Sequence, residues 1–304
     1  MEIIEYSPEL LEPWAALHNA TFAGCHNFWP VSSRVLKRRV AQGGPGFEAA
    51  LLLFARHEGE LVGFAHGGRE PAVYAIGVRP DARRGGIGAA LLRELRRRLG
   101  AHAPFDTRVL NPFWGNAAGP ETSFFGMVEG IGLAADDTGS RAFFAAMGAK
   151  SGPNALNLRV GPNDVNLARS REARTRAEAQ DYQFALLYSR CPVVGAGAGS
   201  ERPFRTKDWF AATAMTGDEV AGTSIAFATP ELGPGRFGIF SLEVSEAHRR
   251  KGLGSALVGM LLLEMQQGPF ACCEVTTVPA DSPGALELYQ QMGFTECAEF
   301  ALFA

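Results

Sequence analysis

Several features are missing or scarce in this chain of 304 residues. Its five cysteines include no Cys-x-x-Cys pair and no histidine at metal-ligand spacing, which argues against a disulfide framework and a structural zinc site. No apolar run approaches the length of a membrane span. A net charge of −3 gives no electrostatic footprint for nucleic acid or an anionic membrane. The first twenty residues are acidic and do not resemble a secretory signal. We therefore expect a cytoplasmic protein that binds no metal, nucleic acid or membrane.

What the chain does contain is the composition of an ordinary globular protein. Hydrophobic residues make up 46% of the sequence and charged residues 20%. The length is large for one hydrophobic core and suits two domains of about 150 residues each. We therefore look for two domains.

One stretch in the second half has a recognisable chemistry. An apolar strand-like run ends at Val244, and the basic, glycine-containing segment 249–254 leads into a helix with leucines at positions 253, 257 and 261. Glycines at 252 and 254 let the backbone approach a ligand closely. The N–H groups at the start of a helix, together with its dipole, favour an anion there. The pattern indicates a binding site for a pyrophosphate.

The same pattern occurs in the first half of the chain. Aligning Arg83 with Arg249 places Gly86 on Gly252 and Gly88 on Gly254 without a gap. A single glycine-rich hexamer is weak evidence, but two copies between a strand and a helix indicate a tandem duplication. We predict an α/β (α+β) protein with domains 1–160 and 161–304.

Residues 111–137 and 161–207 match the repeat poorly. Residues 111–137 form an irregular stretch rich in glycine and aromatic residues, which we interpret as an ordered flap or a contact between domains. Residues 163–180 read as a charged surface helix, and residues 195–200 as a flexible linker or loop.

The motifs together resemble those of the GNAT superfamily of acyl-CoA N-acyltransferases. The resemblance rests on the succession of strand, Arg-x-x-Gly-x-Gly, helix and strand in both halves. It also rests on Ala-x-x-Leu-Tyr-x-x-x-Gly-Phe at 285–294. The tandem layout is similar to that of mycothiol synthase. The resemblance implies two GNAT-like domains, each with a mixed, mostly antiparallel sheet flanked by helices, and acetyl-CoA (coenzyme A) as the cofactor.

In that family the loop amides hold the pyrophosphate of CoA, and the preceding strand pairs with its pantetheine arm. The implied cofactor-binding residues of the second copy are Leu242, Val244, Arg249, Arg250, Lys251, Gly252, Leu253, Gly254 and Ser255. Those of the first copy are Ile76, Val78, Arg83, Arg84, Gly85, Gly86, Ile87 and Gly88.

The resemblance also assigns a catalytic tyrosine. Family members often place a tyrosine four residues before the glycine of Gly-Phe, where it protonates the departing thiolate; here that residue is Tyr289. The same position in the first copy is Phe144, which cannot donate a proton. We therefore expect the first copy to be catalytically degenerate. Glu243 and Glu274 are candidates for the base that deprotonates the amine, although each could equally be an ordinary polar strand position.

The sequence thus predicts an N-acetyltransferase (an acyltransferase transferring groups other than aminoacyl groups). It would move an acetyl group directly from acetyl-CoA to a primary amine of a small molecule or peptide. An alternative is a non-catalytic tandem module that binds or senses acyl-CoA. A nucleotide-phosphate binder unrelated to CoA is disfavoured, because neither loop has the residues of a P-loop or a Rossmann motif.

Overall fold

The computed structural model describes residues 1–25, 28, 30–41, 47–68, 72–100, 103, 105, 133–189, 209–228 and 235–303. These residues form two compact units. The first contains the described residues up to 152 together with those from 300 onward, and the second contains the described residues between 153 and 299. Among the described residues, no helix combines the length and the apolar character needed to cross a bilayer.

The first unit is built on a four-stranded sheet of β1 (Glu2–Glu5), β2 (Leu52–His57), β3 (Glu60–Gly68) and β4 (Ala72–Val78). The strands follow one another in the sheet in chain order, and each pair is antiparallel. A parallel bridge from Val73 to Phe105 continues the sheet beyond β4. The helices are α1 (Leu11–Phe22), α2 (Ser33–Ala41), α3 (Ile87–Leu99) and α4 (Thr138–Ala146).

Strand alternation gives this sheet two buried faces. Phe54 and Phe64 point to one face, where they pack with Trp14 of α1. Leu53 and Ala65 point to the other face, where they pack with leucines of α3. Helices therefore cover both sides of the first sheet.

The second unit has a seven-stranded sheet. Its strands are β5 (Ser151–Val160), β6 (Gln183–Ser189), β7 (Trp209–Thr216), β8 (Glu219–Ala228), β9 (Arg236–Val244), β10 (Cys272–Thr277) and β11 (Thr295–Phe303). They lie in the order β11-β5-β10-β9-β8-β7-β6, and β9 and β10 run parallel. Helices α5 (Ala168–Glu178), α6 (Leu253–Gln266) and α7 (Pro283–Gln291) complete the unit.

Helix α6 is apolar on almost every side because it packs on the sheet and on α5 at once. Small residues allow α5 to come close. A Cβ on Gly252 would lie 3.1 Å from the Cβ of Ala173, and one on Gly259 would lie 1.6 Å from the Oγ of Ser170. The corresponding helix α3 is instead amphipathic, with exposed arginines such as Arg93 and Arg97. The two glycine-rich loops therefore lead into helices with different surroundings.

The predicted α/β fold class, with two sheets flanked by helices, is confirmed, and so are the strand and the helix on either side of each glycine-rich loop. The predicted linker 195–200 lies outside the described residues, as does most of the segment 111–137.

Strand β5 differs from its expected place at the end of the first domain. It pairs along Leu156 to Val160 with Thr277 to Cys273 of β10 in the second unit. The domain break predicted after residue 160 follows the sequence repeat, whereas the compact units divide near residue 152. The sequence repeat and the compact units therefore place β5 in different halves.

The position of β5 predicts how fragments behave. A fragment of residues 161–304 lacks the strand between β10 and β11, so we expect it to unfold without a cooperative transition. A matched fragment of residues 150–304 retains β5 and should unfold with a sigmoidal transition in urea, followed by circular dichroism. Equal cooperativity of the two fragments would contradict this role of β5.

Two buried histidines predict acid sensitivity of the first unit. Burial lowers the pKa of His18 to about 4 and that of His66 to about 3, from the ordinary 6.5. Because the unfolded chain binds these protons more readily, each histidine contributes stability above pH 6.5. That contribution is lost as the pH falls toward the folded pKa and amounts to roughly 3–5 kcal/mol each.

We therefore expect the urea midpoint of the first unit to fall between pH 6.5 and pH 4. The variant His66→Phe should weaken this pH dependence, and His57→Gln, which changes a largely exposed histidine, should not. An unchanged pH dependence in His66→Phe would show that His66 does not contribute to the acid sensitivity.

Candidate active site

Both strands that precede the glycine-rich loops contain a β-bulge at the same place in the repeat. The β3–β4 register shifts next to Tyr74, and the β8–β9 register shifts next to Phe240. These two residues are equivalent when Arg83 is aligned with Arg249. A bulge bends a strand and redirects its backbone, and bulges are common beside active sites. The duplication thus includes the bulge, which no sequence motif marked.

After each bulge the loop adopts one backbone shape. Arg84 and Gly86 have φ of 65° and 79°, and Arg250 and Gly252 have φ of 64° and 84°. Alternating left-handed residues turn successive N–H groups toward a common concavity that suits an anion. No described side chain caps α3 at Gly86 or α6 at Gly252. The first-turn amides of each helix therefore point to the concavity of the loop that precedes that helix.

The first arginine of each motif holds the loop against its own strand. Arg83 donates from Nε to the carbonyl oxygen of Val78 at 3.0 Å, and Arg249 donates in the same way to Val244 at 3.2 Å. Arg83 also donates to the carbonyl oxygen of Thr21 at 3.1 Å. These arginines stabilise the loop backbone, a role that the motif alone did not reveal.

The predicted cofactor-binding residues differ in what they can offer a ligand. Leu253 is only 1% exposed, so its backbone rather than its side chain can face an anion. Arg250 and Lys251 are exposed, and Ser255 is half-buried in the first turn of α6. The first unit places its set in the same arrangement, with Ile76, Val78, Ile87 and Gly88 half-buried and 83–86 exposed.

Strands β9 and β10 separate beside the second loop. Their parallel pairing covers Arg236 to Ile239 on β9 and Cys272 to Val275 on β10. Beyond Ile239, β9 continues to Val244 with its ladder to β8, while β10 continues its ladder to β5. Within these described strands, the segment with Leu242 and Val244 therefore borders a gap where an extended chain can pair with the backbone.

Tyr289 lies on α7 beside the start of α6. Its neighbour Leu288 is so close that a Cβ on Gly254 would lie 3.0 Å from its Cδ1. The tyrosine is 4% exposed, and its ring meets that of Phe294 edge-on at 5.5 Å. The structure thus places Tyr289 within the core of the second unit, on a helix that contacts the start of α6 through Leu288.

The first unit has phenylalanines at the equivalent positions. Phe143 approaches Gly88, as Leu288 approaches Gly254. Phe144 packs against the rings of Phe105 and Phe303, with centroids 4.9 and 5.3 Å away. A hydrocarbon ring therefore lies where the second unit has a phenol.

Glu243 and Glu274 have different environments. Glu243 is exposed near the end of β9, opposite Thr223 of β8. In the first unit its equivalent is the buried Gly77, where a Cβ would lie 2.8 Å from both Phe64 and Thr21. There is therefore no space for a carboxylate at that position in the first unit.

Glu274, by contrast, is buried at 2% exposure. Its Oε1 accepts from Nε of Arg159 at 2.9 Å and from Nη2 of Arg236 at 2.6 Å. Sequence reasoning missed these partners because Arg159 lies on β5, far away along the chain. The three side chains form an ion-paired cluster on one face of the second sheet.

The sequence analysis also did not reveal a second polar cluster, which includes Lys251 of the loop. Lys251 donates to the hydroxyl oxygen of Tyr182 at 2.9 Å, and that hydroxyl contacts Nδ1 of His248 at 2.7 Å. The other ring nitrogen of His248 lies 3.1 Å from Oε1 of Glu219. No spacing in the sequence connects these four residues. Within the described part of the chain, no group of three or more potential metal ligands is gathered into a metal site.

Comparison with known families agrees with this geometry. The model of the Acetyltransferase (GNAT) family matches residues 177–294, and that of the Acetyltransferase (GNAT) domain matches residues 48–118. Together the two matches cover more than half of the chain and include both glycine-rich loops. The chain is a tandem member of the GNAT family.

A relative of similar sequence is named as an acetyltransferase. Mycothiol acetyltransferase of Streptomyces coelicolor (strain ATCC BAA-471 / A3(2) / M145) is 37% identical over 83 residues, which is 26% of each chain. The match therefore spans about a quarter of that relative.

Two solved structures share the fold along 99% of this chain at 17% identity. One is a tandem GNAT protein from the clavulanic acid biosynthesis pathway, with a TM-score of 0.63 and 97% of its chain covered. The other is a GCN5-related glucosamine N-acetyltransferase region of a fungal multi-domain GH3 beta-N-acetylglucosaminidase, with a TM-score of 0.68 and 38% of that chain covered. At this identity the likeness concerns the fold.

Proposed function

We propose that the chain is an acyl-CoA-dependent N-acetyltransferase whose active site lies in the second unit and acts on a primary amine. The main support is one combination. The bulged strand, the anion-binding loop and the gap between β9 and β10 lie at the start of α6, and the helix that carries Tyr289 packs there through Leu288. The first unit repeats the bulge and the loop but has Phe144 instead of the phenol.

The residues of the second unit fit coenzyme A. Amides of 250–254 would hold the diphosphate, and the backbone of Leu242 and Val244 would pair with the pantetheine arm. Acetyl-CoA, when bound, supplies an activated acetyl thioester. The residues of the chain then have three tasks, namely to orient the amine, to accept its proton and to return a proton to the sulfur that leaves.

We assign the base to Glu243 rather than Glu274. A base must reach the amine or a water beside it and must be able to accept a proton. Glu243 is exposed near the end of β9, beside the strand gap. Glu274 is almost inaccessible, and its Oε1 already accepts hydrogen bonds from two guanidinium groups, which suits an anchor for β5, β9 and β10 better than a base.

We assign the acid to Tyr289. Proton donation from an ordinary phenol to an ordinary thiolate is uphill by about 2 kcal/mol, which hydrogen bonding can offset. General acid assistance of this kind contributes roughly 10²–10⁴ in rate. On that scale the unit that keeps the phenol dominates turnover, even if both loops bind CoA.

The first unit is then a second CoA-binding unit or a scaffold. Its loop has the backbone shape required for an anion, but Gly77 and Phe144 occupy the positions of the base and the acid. A module that binds acyl-CoA without transfer is thus the second candidate, and these two residues favour it for the first unit. We propose domain limits near 1–160 and 161–304 for the two repeats, with β5 completing the second sheet, and a cytoplasmic location.

The acetyltransferase assignment can be tested directly. The full chain is mixed with acetyl-CoA and a panel of small-molecule and peptide amines, and the release of thiol is followed. Release that depends on a particular amine, with the acetylated product seen by mass spectrometry, is the expected result. Measurable CoA binding without transfer to any amine would favour the binding module.

The catalytic assignments predict distinct kinetic effects. Tyr289→Phe should lower kcat at least about tenfold and leave CoA affinity nearly unchanged, because only the proton donor is removed. Glu243→Gln should lower kcat/KM for the amine, because the group that accepts its proton is removed.

The first unit, which lacks the proposed general acid, offers a matched control variant. Phe144→Tyr restores a phenol there and should not raise the rate, because Gly77 still provides no base. Full activity of Tyr289→Phe would refute the assigned acid.

A further inference from the structure

One side chain of the second glycine-rich loop, that of Lys251, is hydrogen-bonded to a buried tyrosine. Lys251 lies between Arg250 and Gly252, the two residues with positive φ. Its ammonium donates to the Tyr182 hydroxyl oxygen at 2.9 Å and lies 5.5 Å from the centre of that ring. Tyr182 is 5% exposed and follows α5, the helix that packs against Gly252.

Tyr182 in turn contacts His248, and His248 contacts the exposed Glu219. An ammonium can only donate, so the oxygen of Tyr182 accepts from Lys251 and its own proton points to Nδ1 of His248, 2.7 Å away. His248 then carries its proton on Nε2, which faces Oε1 of Glu219 at 3.1 Å. A cation at one end and a carboxylate at the other thus give all three hydrogen bonds one direction. We call Lys251, Tyr182, His248 and Glu219 the loop brace.

We propose that Tyr182 and His248 are positioning residues that hold Lys251, and with it the peptide groups of 249–252, in the anion-binding shape before a ligand arrives. The inference rests on the proposed binding of CoA by this loop. A left-handed conformation is unfavourable for a residue with a side chain such as Arg250, so a contact that holds the loop favours this shape over more open ones before a ligand binds. A loop that is ordered in advance loses less entropy on binding and therefore binds more tightly.

The first loop shows what is missing without the brace. It has nearly the same φ values at Arg84 and Gly86, but Gly85 occupies the position of Lys251 and Ala82 that of His248. Glycine has no side chain to anchor and is the most mobile residue in an unfolded or open loop. The brace therefore makes the second loop the tighter of two similar anion sites.

Calorimetric titration of the full chain with coenzyme A, combined with steady-state kinetics, tests the brace. Tyr182→Phe keeps the ring and removes the hydroxyl, and Lys251→Ala removes the ammonium. We expect each variant to weaken CoA binding at the second loop about tenfold, as for loss of a hydrogen bond to a charged group. KM for acetyl-CoA should rise by a similar factor while kcat changes little.

The double variant separates positioning from general destabilisation. If Tyr182 acts through Lys251, then Tyr182→Phe should have little further effect on CoA affinity in the Lys251→Ala background. His248→Asn, which keeps an acceptor oxygen near the place of Nδ1, should bind CoA better than His248→Gln. Tyr188→Phe on β6 changes an exposed tyrosine and serves as the matched control with unchanged affinity.

Each result decides the proposal. Equal CoA affinity of Tyr182→Phe and the wild type would overturn the brace and leave the acetyltransferase proposal intact. Additive losses in the double variant would also overturn it. If the wild-type chain does not bind CoA at all, the proposed function fails and the brace fails with it.

Discussion

The structure of both candidate sites depends on one constraint, which is that the first amides of a helix have no partner within that helix. At α3 and α6 no described side chain takes these hydrogen bonds, because the residues before each helix include glycines. Two left-handed residues per loop turn further N–H groups toward the same concavity. A diphosphate satisfies such groups with oxygen acceptors and complements the helix dipole.

The bulge and the strand gap extend this local arrangement into a site of molecular size. The bulge at Phe240 bends β9 at the point where its pairing with β10 ends. An extended ligand arm can then use backbone groups at β9, while α7, which carries Tyr289, packs through Leu288 at the start of α6. The site therefore combines main-chain binding with very few side chains that need to be specified for chemistry.

Sequence reasoning succeeded where the determinants are local. The two loops, with the strand before and the helix after each, are encoded within about thirty residues each. It could not place β5, because the pairing of this strand with β10 depends on residues more than a hundred positions away. The same distance hid the partners of Glu274. The contact between Lys251 and Tyr182 could not be predicted from the sequence, because it depends on tertiary packing of α5 against the loop, where Ala173 approaches Gly252.

The order of strands in the second sheet has a consequence for the history of the gene. Strand β5 is encoded at the end of the first repeat, yet it lies between β10 and β11. After duplication, the second repeat therefore became a complete sheet only by using a strand from its neighbour. A deletion that removed the first repeat would also remove an interior strand of the second sheet. Selection on the second repeat alone is then enough to retain β5, although this strand is encoded outside that repeat.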